Sequence, residues 1–166
     1  GMQGKVAISH AFALGMNDYL RVGKLIDEIA KLDVAIVTTG APSAAVPSIM
    51  RLKEAGVRVA GGCDGIRDTW GPWGQPDMLD RAQIIGMKNG LRSDRDLEHV
   101  LHIVSQGGAD VMELENYGLK VGCDADLTLL VGQTLAHAVV EVAPRPLVVK
   151  RGRVVARQGQ AVVEMP

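Results

Sequence analysis

The chain has 166 residues, 47% of them hydrophobic, and a formal net charge of −1. That length supports one good core, and the near-neutral charge implies no polyanion as partner. Aromatic residues are 3% of the chain, which excludes a base-stacking surface for nucleic acid, and no apolar run reaches the ~18 residues of a membrane span.

The first half alternates in the βα manner. Lys5–Ser9 is a short strand-forming run. Asn17 or Asp18 can cap a helix to about Lys31, with Val22, Leu25, Ile26 and Ile29 on one face. Val34–Thr38 is an almost unbroken apolar strand, as parallel sheets buried on both faces require. Pro47 suits the first turn of a short helix ending near Ala55, where Gly56 is a stop. Val57–Gly62 is the third strand. A long irregular segment, Gly65–Asp77, is rich in Gly, Pro and Trp, and loops of that length inside a domain are usually functional. Helices are then expected over about Met78–Asn89, from Ser93 with Asp96 completing a capping box, and over Ala109–Leu114.

The pattern changes after Tyr117-Gly118. Strand-like runs follow one another directly: Leu127–Val131, Ala138–Val142, Leu147–Lys150, Arg153–Ala156 and Ala161–Glu164. Arg151-Gly152 reads as a tight hairpin turn. The expected architecture is α/β: three βα units over residues 1–116, then a small antiparallel β-sheet or sandwich segment over 117–166.

Parallel βα sheets place ligand sites at the carboxyl ends of their strands. His10 and Asp64 both fall there. An imidazole and a carboxylate at such a rim can share a divalent metal or its bound water, whose pKa the metal lowers toward ~7. The carboxylate can then pass the proton to a leaving group. Each residue also has a plainer reading, His10 as structural and Asp64 as a cap. Trp70 and Trp73 suit either a lid over a flat substrate or packing of the long loop. His99 and His102, three apart on a helix, fit a solvated face better than a metal site. His137 is placed in the late sheet, away from the strand ends. Cys63 reads as a small buried residue, since no base lies near it in sequence, and with Cys123 it makes no CxxC pattern. Reduced thiols in a cytoplasm are therefore expected.

Three segments carry a family resemblance. They are Ile8-Ser9-His10-Ala11-Phe12, the stretch from Gly61 through Asp64 and Trp70 to Gly74, and Gly118–Leu130 with the closing hairpin Lys150–Val155. With these the chain resembles the amidohydrolase superfamily, nearest its cytosine deaminases, from Val6 to Ala156. The resemblance implies the last three βα units of a TIM-type β/α barrel. His10 becomes the sixth-strand histidine that bonds the metal-bound water or reacting oxygen. Asp64 becomes the eighth-strand aspartate that binds the metal or its water and moves protons, and is the implied metal ligand. Trp70 is placed near the substrate ring, with Asp68 and Arg67 close by. The implied cofactor is zinc or iron, and the implied substrate a small nucleobase-like cyclic amide or amidine. Some cytosine deaminases carry a second acid after the eighth-strand aspartate. Here that position is Gly65, which argues against cytosine itself.

The family's His-x-His, its fifth-strand histidine and its catalytic glutamate would precede Val6. Zinc or iron needs three to five ligands. The chain is therefore expected to be the C-terminal portion of a longer hydrolase, with metal weakly held or absent and activity lost in isolation. The alternative is a non-enzymatic, oligomerising module. Three βα units cannot close an eight-stranded barrel, so Lys5–Ser9 would leave an apolar edge that self-association covers. A homo-oligomer follows as an expectation.

Overall fold

The computed structural model describes residues 1–162. Two sheets organise it. The first is parallel and three-stranded: β1 (Val6–Ser9), β2 (Val34–Thr38) and β3 (Val59–Gly61), in the order β1-β2-β3. Val6 pairs with Val34 and Thr38 with Gly61, so β2 is the central strand. Its Ala35, Ile36 and Thr38 are buried, as the apolar run implied. β1 is an edge, and its Val6 and Ile8 are 37% and 41% exposed.

The crossovers are helical. A short 3-10 turn (Phe12–Gly15) leads to α1 (Tyr19–Lys31), capped by Asp18, whose carboxylate accepts from the Arg21 N–H. Val22 and Ile26 of α1 are buried, whereas Leu25, expected on the same face, is exposed. α2 (Ile49–Glu54) is capped by Ser48, whose side chain accepts from the Arg51 N–H, so its first residue falls two positions after Pro47, the residue expected in the first turn. Then come α3 (Met78–Lys88) and α4 (Asp94–Ile103), the latter with the full Ser93–Asp96 capping box. α5 covers Gln106–Val111, three residues earlier than its expected span.

The second sheet is antiparallel and four-stranded: β4 (Leu127–Leu129), β5 (Leu147–Lys150), β6 (Arg153–Arg157) and β7 (Gln160–Ala161). The expected strand at Ala161–Glu164 runs beyond the described residues. The expected strand at Ala138–Val142 is instead the C-terminal part of a helix, α6 (Leu135–Val140). Thr134 caps it through the His137 N–H, and its Ala138 and Val139 enter the main core beside Val100 and Ile103. The 117–166 segment therefore supplies a helix to the α/β core as well as a sheet. The Arg145 guanidinium pairs with the Asp77 carboxylate at the start of α3, fixing the junction between the two parts.

Candidate active site

β1 ends at Ser9 and β3 at Gly61, which places His10 and Asp64 just past parallel strand ends. Both adopt left-handed backbone conformations, with φ of 66° and 56°. Histidine and aspartate enter that region more readily than most non-glycine residues. Because β2 lies between β1 and β3, the two side chains meet across its end. His10 Nε2 stands 3.3 Å from Asp64 Oδ2. The His10 N–H donates to the Val37 carbonyl at 2.8 Å, which ties the turn to β2. Phe12, two residues on, lays its ring 5.0 Å from the imidazole. His10 Nδ1 is buried and has no hydrogen-bond partner among the described residues. The Asp64 side chain is 63% exposed and that of His10 31%. An open carboxylate backed by a half-buried imidazole can accept a proton from a bound molecule and hand it back.

The loop after Asp64 is ordered by its own polar groups. Asp68 Oδ1 accepts from the Trp70 N–H at 2.8 Å, a local turn contact typical of aspartate. The Arg67 N–H donates to the Trp73 carbonyl at 3.0 Å. Trp70 and Trp73 are 96% and 83% exposed, so both rings stand in solvent. The structure brings His10 and Asp64 together and places Asp68 and Trp70 on the adjacent loop, with Asp68 occupied in shaping it. At the loop's far end Asp77 caps α3, accepting from the Leu79 N–H at 2.9 Å. Cys63 is half-buried, its Sγ 3.6 Å from the Gln75 carbonyl oxygen and 3.7 Å from Met78 Sδ.

The remaining histidines lie elsewhere. His99 and His102 stack on α4, ring centroids 6.1 Å apart. They line a cavity of about 440 Å³ with Lys53, Arg58, Val57 and Asp110, by the start of β3 and thus at the opposite end of the sheet. Burial first, then the charges of Lys53 and His102, lowers the His99 pKa to about 4. His99 therefore departs from the solvated face expected of it, while His102 is about half exposed and faces Asp110. His137 lies on α6 rather than in a strand, and its Nδ1 accepts from the Gln133 N–H at 3.2 Å. Sequence reasoning gives no role to Arg145, whose pairing with Asp77 spans 68 positions of the chain and leaves no local signal.

A catalytic zinc takes three protein ligands and a structural one four. His10 and Asp64 offer two donor side chains, and among the described residues no group of three His, Cys, Asp or Glu could hold a metal ion. The described residues alone do not fit such a centre. No helix among them is long and apolar enough to cross a membrane.

An imidazole and a carboxylate thus face each other across the carboxyl end of a parallel βα sheet, the place where β/α enzymes carry their ligand sites, beside a small antiparallel sheet. The sequence pattern of the Amidohydrolase family matches residues 1–162, and the chain belongs to that family. The strand-end and loop motifs pointed to the same place. The chain is 30% identical over 158 residues to N-isopropylammelide isopropyl amidohydrolase of Pseudomonas sp. (strain ADP), covering 95% of this chain and 39% of the relative. Its fold superposes on N-isopropylammelide isopropylaminohydrolase from Burkholderia multivorans ATCC 17616 with a TM-score of 0.94 and 48% identity, over 98% of this chain and 42% of that one. It also matches 5-methylcytosine deaminase from Klebsiella pneumoniae, with a TM-score of 0.85 and 24% identity, over 100% of this chain and 44% of that one. The chain thus spans about two-fifths of the length of these relatives.

Proposed function

We propose that this chain carries the proton-handling pair of a hydrolase that breaks a C–N bond of a small cyclic amide or amidine. The observation that supports it most is the contact of His10 Nε2 with Asp64 Oδ2 at 3.3 Å across the end of β2. In this reading a water oxygen adds to the ring carbon that bears the nitrogen. Asp64 takes the water's proton and returns it to the departing nitrogen, so the C–N bond breaks and the amine leaves neutral. His10 steadies the developing oxygen charge and holds the Asp64 carboxylate in place. Trp70 closes over the planar ring on binding, and Asp68 sets the turn that carries it. The 48% identity to an N-isopropylammelide hydrolase favours an N-substituted triazine of that type over cytosine as substrate.

On this reading residues 1–116, with their three parallel strands, are the C-terminal part of a larger β/α barrel, and 117–166 are a small β-domain segment. Asp64 is the candidate metal ligand in this chain, and a zinc or iron centre would need its other ligands from outside the described residues. The exposed edge at β1 supports a second reading, self-association of a chain without turnover. Amine release from N-isopropylammelide and ammonia release from cytosine, each with and without added zinc or ferrous ion, separates the two. Release that disappears in Asp64→Asn supports the hydrolase. No release from either compound, with a mass above that of one chain, supports the assembly module.

A further inference from the structure

We propose that Arg81 is a positioning residue for the His10–Asp64 pair, an inference that rests on reading that pair as the reacting one. Arg81 lies in the first turn of α3 and is 6% exposed. Its Nη1 donates to the Thr39 carbonyl at 2.8 Å. Its Nε is buried without a partner, and no ion pair among the described residues includes it. Burying a guanidinium with no carboxylate opposite is costly, and an apolar side chain of similar volume fills such a place without that cost. Packing alone therefore does not account for an arginine here. What the arginine adds is a charge-assisted bond to one carbonyl, stronger than a neutral donor would give.

The register shows what that carbonyl controls. Ser9 pairs with Val37 and Gly61 with Thr38. One step further, the His10 N–H donates to the Val37 carbonyl and the Gly62 N–H to the Thr38 carbonyl. The end of β2 is thus the strip of backbone from which both turns hang, the one presenting His10 and the one presenting Asp64. Thr39 is the next residue, itself buried, where the sheet's own hydrogen bonding stops. Arg81 takes its carbonyl there and fixes the point at which β2 turns away. The following residue is held too. Gly40 has a φ of +63°, and a Cβ on it would lie 2.8 Å from Ile85 Cγ1 of α3. Arg81 and Ile85 together clamp the β2 terminus against α3, and the clamp sets the gap that His10 and Asp64 span.

The test is nuclear magnetic resonance of the full chain, reading the imidazole ¹⁵N signals of His10 and amide hydrogen exchange. In Arg81→Met, exchange at His10, Gly40 and Gly62 should speed up by about tenfold or more, while Ile36, at the middle of β2 with its N–H on the Arg58 carbonyl, stays within about twofold. The His10 signals should move to those of Asp64→Asn. Arg81→Lys, which keeps a charged donor for Thr39, should restore both. A uniform rise in exchange along the sheet, or unchanged His10 signals in folded Arg81→Met, overturns the proposal. If Arg81→Met does not fold, Arg81→Gln is read by the same two signals, and the same outcomes support or overturn the proposal. Neither readout requires turnover, so a chain that hydrolyses nothing still decides the role of Arg81.

Discussion

At the scale of single residues, the site is a facing imidazole–carboxylate pair, and its consequences are specific. Asp64 exposes a carboxylate to whatever binds, and His10 backs it from a half-buried position. Removing the carboxylate's basicity while keeping its shape should leave binding intact and slow the chemistry. Asp64→Asn is expected to lower kcat by about 10²–10⁴ with little change in KM, on whichever compound the release assay identifies. An equal rise in KM with kcat unchanged would assign Asp64 to binding instead. His99 gives a second prediction, of stability. Its pKa is about 4 in the fold, lowered chiefly by burial and further by Lys53 and His102, with Asp96 opposing. The unfolded chain binds that proton near pH ~6.5. Between the two values the unfolded state holds more protons, so stability is full above the upper value and falls as the pH drops toward the lower. Urea midpoints measured at three pH values across that window should decline for the native chain and decline less for His99→Leu. Parallel declines would remove His99 as the cause.

At the scale of elements, two short helices depend on close approach and on a cap. α5 crosses β3 so tightly that a Cβ on Gly107 would lie 2.4 Å from the Val59 carbonyl oxygen. Backbone cannot yield as a side chain can, so Gly107→Ala is expected to cost about 1–3 kcal/mol by chemical denaturation. A cost near zero would mean that α5 shifts freely. α6 has six residues and one side-chain cap, Thr134 to the His137 N–H at 3.0 Å. Thr134→Ala should lower stability by about 1 kcal/mol, read from the same denaturation curves. These elements also mark where sequence reading succeeds and fails. β2 is legible because Val34–Thr38 is apolar without interruption, which a strand buried on both faces demands. α4 is legible from Ser93 and Asp96. Ala138–Val142 reads wrongly as a strand because four of its five residues are alanine or β-branched valine and so short a run carries no period, and burial looks alike in a strand and a short helix. The signal that distinguishes them is Thr134 ahead of the run, a capping residue that a strand does not need. His10 and Asp64 are legible as strand-end residues, whereas their meeting across β2 depends on strand order. Arg81 gives no signal, since an arginine on a helix reads as solvated until the fold buries it.

At the scale of the whole molecule, the parallel sheet ends in two edge strands, β1 and β3, and β1 is the more open one, since α5 packs closely on β3. β1 offers a row of backbone donors and acceptors with no strand beside it among the described residues, and its Val6 and Ile8 are exposed. Phe12 and Met16, in and just after the turn that follows, are exposed as well. Native proteins blunt such edges with charge, proline or a bulge, and β1 carries none of these within Val6–Ser9. An apolar parallel edge therefore pairs with whatever completes its sheet. In a solution of this chain alone the available partner is a second copy, related by a two-fold axis so that the same strand serves both sides. Light scattering on the purified chain should then give a mass above 17.6 kDa that rises with concentration. Ile8→Lys places a charge on the edge without touching the buried face of β2, and should return the mass to that of one chain while leaving the circular dichroism spectrum unchanged. A native chain with the mass of a single copy at every concentration would refute self-association at this edge. The same variant also separates an edge contact from clustering through the exposed Trp70 and Trp73, because assembly through the loop would survive Ile8→Lys.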